Sequence, residues 1–299
     1  MKREGWLDVR ERGAVWGIRF VVWLCTVFGR GLGRAVLVPI CAYYVLSHRT
    51  ARRASREYLA RVHGRATLGM VYRHVLRFAH CALDRLFLLR GRTALFDVES
   101  FGTEHLRAQQ ESGKGALLLG AHLGSFDAMR AKAADRNYRV NILAYFRNAK
   151  MINEALHAMD PGTRARLLEI EPGSVDFLLT ARERIEAGEF VAVLGDRVGE
   201  DHKKSVEVPF LGGVARFPVG PYLFAAAMKC PVFLTFGIFR EPNRYELFCE
   251  PFADVVTLDR KDREGSLKRY AARYAERLEH YCRLAPDNWF NFYDFWGAE

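Results

Sequence analysis

The sequence predicts an α/β fold in which helices flank a mixed central sheet, with an amphipathic helical extension at the N-terminus. Short apolar runs at 116–119 and 190–194 have the length of buried strands, and segments with apolar residues at helical spacing lie between such runs. Half of the 299 residues are hydrophobic, which is ample for a core. The excess of positive charge lies in the first third of the chain. We therefore divide the chain into a helical, membrane-associating region at 1–92 and an α/β domain at 93–299.

Helices account for most of the first region. Residues 50–62 and 68–89 are rich in arginine and carry apolar side chains at helical spacing, as at Val71, Val75 and Phe78. This spacing is typical of amphipathic helices that bury one face.

Strands and helices alternate in the second region. Residues 138–145 alternate in polarity like a strand, and Gly188 marks the end of a helix before the apolar run at 190–194. The predicted elements are an edge strand at 95–101, a helix at 104–112, a strand at 116–119, a helix from 126, a strand at 138–145, a helix at 172–186, a strand at 190–194, a helix at 218–229, hairpin strands at 231–239 and 245–249, and a helix at 260–283.

The formal net charge of +10 is unevenly distributed. Residues 1–92 contain 18 Lys and Arg against 5 Asp and Glu, so this region carries +13 and the remainder −3. Such a basic segment is suited to nucleic acid or to an anionic membrane surface. Its apolar content favours the membrane, and we expect no nucleic-acid partner.

Two charge-free runs, at 20–29 and 35–48, mark the N-terminal segment, and each is shorter than the roughly 20 residues needed to cross a bilayer. If residues 12–34 formed one helix, its four arginines would lie within about 80° of arc. They are Arg12, Arg19, Arg30 and Arg34. This pattern predicts a basic helix in the membrane interface, broken by the glycines that follow residue 28. A helix that caps the core is the alternative.

The chain has the character of a cytoplasmic protein. We expect no cleavable signal peptide, because Glu4, Asp8 and Glu11 precede any apolar run. Six cysteines include no C-x-x-C pair and mostly have apolar neighbours, which predicts reduced, buried thiols. Nine histidines form no cluster at metal-ligand spacing, so we expect neither a metal site nor a cofactor.

The strand at 116–119 leads to the candidate catalytic residue. It breaks at Gly120 and places His122 at its carboxyl end, where open α/β sheets form their sites. Ser125 is the expected N-cap of the next helix, and Asp127 lies in its first turn. If the loop folds back, the carboxylate of Asp127 accepts from one imidazole nitrogen of His122 and leaves the other free as a base.

A histidine base without a protein nucleophile predicts direct reaction between two bound substrates. The sequence contains no Gly-x-Ser-x-Gly nucleophile elbow. The base would then deprotonate the acceptor substrate itself, which is the logic of an acyl transfer. For such a pair alone, the alternative is a core histidine beside a carboxylate that stabilises a helix N-terminus.

The segment His122-Leu-Gly-Ser-Phe-Asp127 resembles the His-x4-Asp motif of glycerolipid and lipid A acyltransferases. Gly120 and Gly124-Ser125 resemble the bacterial lipid A lauroyl/myristoyl acyltransferase branch. Further blocks at 145–148, 194–197, 208–216 and 230–234 resemble that branch in the same order. The ordered series is far more specific than the motif alone and spans nearly the whole chain.

The resemblance implies a membrane-associated acyltransferase with a glycerolipid acyltransferase-like fold. His122 would be the general base and Asp127 the carboxylate that orients it. Arginine suits anionic substrate groups because its planar fork binds two oxygens at once. The candidates for substrate binding are Gly124, Ser125, Arg147, Asn148, Asp196, Arg197 and Arg216.

The implied donor is an acyl thioester on acyl carrier protein or coenzyme A, and the implied acceptor is a lipid or glycolipid hydroxyl or amine. The aromatic tail at 288–296 contains Asn291 and Asp294 where the family usually carries arginines. The acceptor therefore stays open among a lipid A precursor, a lysophospholipid, an amino-acid lipid and a lipid of an aryl polyene pigment pathway.

The expected location is the cytoplasmic face of the bacterial inner membrane, with peripheral or monotopic attachment. A thioesterase, in which water replaces the acceptor, is a second enzymatic interpretation. A membrane-bound scaffold that sequesters acyl chains is the non-enzymatic one. The sequence leaves acyl chain length and oligomeric state open.

Overall fold

The structure, a computed structural model, describes residues 15–144, 167–170, 176–198 and 204–297. In this part of the chain a seven-stranded sheet has the order β1-β9-β8-β2-β5-β3-β4, and β6 and β7 form a separate hairpin. The strands are β1 (Asp97–Phe101), β2 (Ala116–Gly120), β3 (Val140–Ala144), β4 (Leu167–Glu169), β5 (Phe190–Leu194), β6 (Ser205–Phe210), β7 (Gly213–Pro218), β8 (Val232–Arg240) and β9 (Arg244–Ala253).

The large sheet is mixed, as predicted. Strand β2 pairs in parallel with β5 on one side and β8 on the other, and β3 pairs in parallel with β4 and β5. The hairpin of β8 and β9 reverses the direction, and β1 pairs in parallel with β9 at the edge. All five residues of β2 are buried, which explains its unbroken apolar run.

Helices cover both faces of the sheet and fill the first region. They are α1 (Val15–Ser47), α2 (Arg49–His63), α3 (Leu68–Leu89), α4 (Thr103–Glu111), α5 (Phe126–Asp135), α6 (Asp176–Glu186), α7 (Gly220–Met228) and α8 (Arg263–Leu284). The predicted strands and helices are confirmed to within a few residues. The predicted start of the helix at 172–186 lies outside the described residues.

Helix α1 is kinked where the sequence predicts a break. Gly29 has φ 82° and ψ −178°, a conformation that residues with a Cβ rarely adopt. After the kink, Arg30 donates to both carboxylate oxygens of Asp84 at 2.6 and 2.8 Å, and Arg34 forms an ion pair with Glu241. The prediction that Arg30 and Arg34 face lipid is therefore wrong, because carboxylates of α3 and of the β8–β9 turn bind them.

The outward side of α1 is apolar. Trp23 and Phe28 are 53% and 58% exposed, and Tyr43 and Leu46 are 71% and 66% exposed. Among the described residues, no helix combines the length and apolar content needed to cross a membrane. The exposed side of α1 is thus an apolar surface that the described part of the protein leaves uncovered.

One apolar core joins the N-terminal helices to the α/β region. The same cluster contains Cys41, Tyr58 and Val75 from α1, α2 and α3, and Leu119 and Phe236 from the sheet. Described residues on both sides of the predicted boundary between 92 and 93 therefore share one apolar core. All six cysteines are free and buried, as predicted, and burial raises the pKa of each thiol.

Candidate active site

The site forms where two neighbouring parallel strands end. Gly120 at the end of β2 is in register with Leu194 at the end of β5. Two residues further along each chain segment stand His122 and Asp196. Because parallel strands deliver their carboxyl ends to one edge of a sheet, the register brings these two side chains together.

Asp196 binds His122 through both carboxylate oxygens. The imidazole Nδ1 lies 2.9 Å from Oδ1, and the backbone N–H of His122 donates to Oδ2 at 2.9 Å. The indole Nε1 of Trp289 also donates to Oδ2 at 2.9 Å. Since an ionised carboxylate only accepts, the Nδ1 of His122 carries a hydrogen and Nε2 carries a lone pair.

The surroundings set opposite charge states for the two side chains. Burial alone raises the pKa of Asp196, but the imidazole of His122 and the charge of Arg197 outweigh it and lower the pKa to about 2. Burial, and then Arg197, lower the pKa of His122 and outweigh the attraction of Asp196. A neutral imidazole beside an ionised carboxylate is the arrangement that a general base requires. The side chain of His122 is 30% exposed, so part of the ring reaches the surface.

Asp127 does not take the predicted position. Its Oδ1 lies 3.2 Å from Nε of Arg85 on α3, and it stands in the first turn of α5. A carboxylate there is stabilised by the helix dipole and by this arginine. The prediction that Asp127 orients His122 is wrong, because the loop leads Asp127 toward α3 while β5 supplies the partner of His122.

Gly124 and Ser125 shape the loop that carries His122. Gly124 has φ 65°, and any Cβ there would collide with the backbone oxygen of Gly237. Ser125 is confirmed as the N-cap, since its hydroxyl accepts from the N–H of Ala128 at 3.1 Å. Its own N–H donates to the oxygen of Gly237 at 2.7 Å. These contacts give both residues a structural role, and their contact with substrate stays a prediction.

The C-terminal tail binds the loop that carries His122 through backbone hydrogen bonds. The N–H of Gly124 donates to the oxygen of Asn288 at 2.7 Å, and the N–H of Phe290 donates to the oxygen of His122 at 2.8 Å. Asn288 in turn exchanges two hydrogen bonds with the backbone of Phe239. Trp289, which lies between Asn288 and Phe290 in the chain, is 1% exposed. Sequence reasoning noted the aromatic tail but assigned it no residue of the site.

The remaining predicted binding residues are dispersed. Arg197 lies at the site, where it donates to the oxygen of Phe290 at 3.2 Å. Arg216 stands on the separate β6–β7 hairpin and forms an ion pair with Glu207 at 3.2 Å. Arg147 and Asn148 lie outside the described residues. Within the described ranges, no group of three or more His, Cys, Asp and Glu side chains is arranged to hold a metal ion.

An apolar groove lies between the sheet and helices α4 and α5. It encloses about 670 Å³, counting its open mouth. Leu118 of β2 and Phe126 and Met129 of α5 line it, and Arg130 and Arg136 are among its basic residues. The groove reaches the first turn of α5 at Phe126, and among the described residues its lining includes neither His122 nor Asp196. Its apolar lining with a few basic residues is typical of small-molecule sites.

Comparison with known proteins identifies a family for this chain. A family model described as bacterial lipid A biosynthesis acyltransferase matches residues 88–297. A search of the curated proteins returned no significant match. The matched segment contains both strands that end at the site, the groove and the aromatic tail. The chain therefore belongs to the bacterial lipid A biosynthesis acyltransferase family.

Proposed function

We propose that this acyltransferase moves a fatty acyl group from an acyl thioester to a hydroxyl or amine of a lipid or glycolipid, with His122 as the general base and Asp196 as its orienting carboxylate. The observation that carries the proposal is the 2.9 Å contact between Nδ1 of His122 and Oδ1 of Asp196. It fixes the tautomer that leaves Nε2 free to accept a proton.

The proposed reaction needs no covalent enzyme intermediate. Nε2 of His122 takes the proton of the acceptor group, whose oxygen or nitrogen attacks the thioester carbonyl. The C–O or C–N bond forms, the tetrahedral intermediate collapses, and the C–S bond breaks. The imidazolium returns its proton to the departing thiolate of coenzyme A or of the carrier protein. Asp196 stabilises the imidazolium and stays ionised because its pKa is about 2.

We propose that the acyl chain of the donor lies in the apolar groove beneath α5. Leu118 and Met129 offer the hydrocarbon surface that a fatty chain buries, at about 0.8 kcal/mol for each methylene group. Arg130, Lys132 and Arg136 border the same groove and suit the anionic part of a thioester donor. Acyl carrier protein and coenzyme A both carry anionic phosphate groups, so these basic residues do not distinguish between the two donors.

The exposed face of α1 supports the proposed membrane attachment. Amphipathic helices bind at the interface by burying apolar side chains below the headgroups. The face carries Trp23 and Phe28, each more than half exposed. Arg30 and Arg34 are bound to carboxylates of the protein. We therefore propose that the exposed apolar side chains of α1 contribute more to membrane binding than the charges of these two arginines.

Trp23→Ser and Phe28→Ser are each expected to weaken binding to phospholipid vesicles by roughly tenfold or more, on neutral as well as anionic lipid. Flotation of the purified protein with vesicles of both compositions measures this. Leu179→Ser is the matched control, because Leu179 is 59% exposed on α6. Equal flotation of all three variants and the unaltered protein would contradict attachment through α1.

A labelled acyl thioester, offered with and without a bacterial lipid extract, tests the proposed transfer. With acyl coenzyme A or acyl carrier protein as the donor, we expect the label to appear in lipid. We also expect free thiol to be released only when the lipid extract is present. A thioesterase would release free fatty acid at the same rate without lipid. A scaffold would release no thiol at all, so either of these outcomes would overturn the transferase.

A further inference from the structure

We infer that Trp289 is a positioning residue of this active site, and that Ser55 and His74 of the N-terminal helices fix it there. The inference rests on the proposed roles of His122 and Asp196 and adds a hydrogen-bonded chain that reaches them from α2 and α3. Its members, in order, are Ser55, His74, Trp289, Asp196 and His122.

The indole of Trp289 fixes the carboxylate plane of Asp196. An indole N–H is a donor only, so its 2.9 Å contact with Oδ2 has one direction. The backbone N–H of His122 donates to the same oxygen, also at 2.9 Å. With Oδ2 bound twice, Oδ1 is the oxygen that faces Nδ1 of His122. Asp196 is 1% exposed, so these donors replace the water that would otherwise solvate its charge.

His74 fixes the backbone of Trp289. Its Nε2 lies 2.9 Å from the carbonyl oxygen of Trp289, and its Nδ1 lies 2.8 Å from Oγ of Ser55. Because a carbonyl only accepts, Nε2 carries the hydrogen, Nδ1 accepts, and the hydroxyl of Ser55 donates. Burial lowers the pKa of His74 to about 4, which keeps this ring neutral near pH 7. Ser55 and His74 are fully buried.

Aromatic rings wall in the indole on several sides. The centroid of Trp289 lies 5.1 Å from that of Tyr58 on α2, 5.3 Å from Phe210 on β6 and 4.8 Å from Phe295 in the tail. The residues on either side of Trp289 bind the backbone of Gly124 and His122. The tail therefore holds the base by its backbone and the carboxylate by the indole.

The N-terminal helices are thus part of the catalytic architecture as well as the proposed membrane attachment. The imidazole of His74 belongs to α3 and the hydroxyl of Ser55 to α2. Both lie before residue 88, where the family model begins to match the chain. The part of the chain outside that match thus supplies two of the polar groups that hold Trp289.

Trp289→Phe tests the indole with the least change of shape. We expect kcat for acyl transfer to fall roughly 10- to 100-fold, because hydrogen bonds to charged groups have about that effect, while KM for donor and acceptor stays within about twofold. Trp296→Phe is the matched control. Its indole belongs to the same aromatic cluster but donates to the oxygen of Phe210, so its kcat is expected to stay near normal.

A second variant separates the hydrogen bond from packing. Replacing Trp289 with benzothienylalanine keeps the fused-ring shape and removes only the N–H. The same loss of kcat at an unchanged melting temperature supports the inference. A kcat equal to that of Trp296→Phe, in either Trp289 variant, overturns it and leaves the transferase proposal intact, which His122→Ala tests separately.

His74 offers a conservative rescue. Glutamine at position 74 can donate to the oxygen of Trp289 and accept from Ser55, whereas leucine can do neither. We expect His74→Gln to retain most of kcat and His74→Leu to lose it in the manner of Trp289→Phe. Equal kcat in the two His74 variants would show that this side chain does not position Trp289.

Discussion

His122→Ala is expected to lower kcat for acyl transfer by roughly 10³- to 10⁴-fold, at the upper end of what a positioned general base contributes. The side chain is 30% exposed and stands in a loop held by backbone hydrogen bonds to Asn288 and Phe290. Removing it therefore leaves the fold in place, and the melting temperature is expected to change little. Steady-state rates with a saturating acyl thioester and lipid measure the effect.

Near-normal transfer by folded His122→Ala would remove the base from the mechanism. Asn288 and Phe290 bind the loop through backbone atoms, so the circular dichroism spectrum of the variant is expected to match that of the unaltered protein. Added imidazole provides a further check, because a missing base is sometimes replaced by a small one in solution, whereas a misfolded loop is not.

Asp196→Asn is expected to reduce kcat/KM by a similar factor, roughly 10³- to 10⁴-fold, because an amide can stabilise the tautomer with the hydrogen on Nε2. Asp127→Asn is the matched control. Its partner is Arg85 at 3.2 Å, and both side chains are partly exposed, so we expect a far smaller loss of rate and about 0–1 kcal/mol of stability. A larger loss in Asp127→Asn than in Asp196→Asn would show that Asp127, and not Asp196, orients His122.

The pH profile of kcat/KM in Asp196→Asn is expected to shift in a definite direction. His122 acts as a base only when neutral, so kcat/KM falls as pH falls through its pKa, which lies below the ordinary value. The charge of Asp196 raises that pKa. Its loss in Asp196→Asn is therefore expected to move the acid limb of the profile to still lower pH, and a shift to higher pH would contradict the pairing of Asp196 with His122.

The strand–loop–helix unit around His122 could be predicted because its signals are local. An apolar run ends in Gly120, Ser125 caps the next helix, and the structure confirms both. The choice between Asp127 and Asp196 is not local. It depends on β5 lying beside β2, and Asp196 is 74 residues from His122 in the chain. A motif of nearby residues favours the nearer carboxylate, while sheet register selects the farther one.

Long-range contacts also explain why the charge pattern could not predict the partners of Arg30 and Arg34. Arg30 and Arg34 look like a membrane-facing pair on a helical projection, but Asp84 and Glu241 bind them. The second of these carboxylates comes 207 residues later in the chain. Trp289 meets Asp196 across 93 residues, so the pattern of the tail alone gives no sign of its role. The sequence shows that the tail is aromatic, but only the fold decides which atom its indole binds.

The most direct test of the central claim is the ¹⁵N NMR titration of the imidazole of His122, assigned by comparison with His122→Ala. We expect a neutral ring with its hydrogen on Nδ1 near pH 7, a pKa below the ordinary value of histidine, and a change of tautomer in Asp196→Asn but not in Asp127→Asn. A ring with its hydrogen on Nε2, or a spectrum that responds to Asp127→Asn and ignores Asp196→Asn, would contradict it.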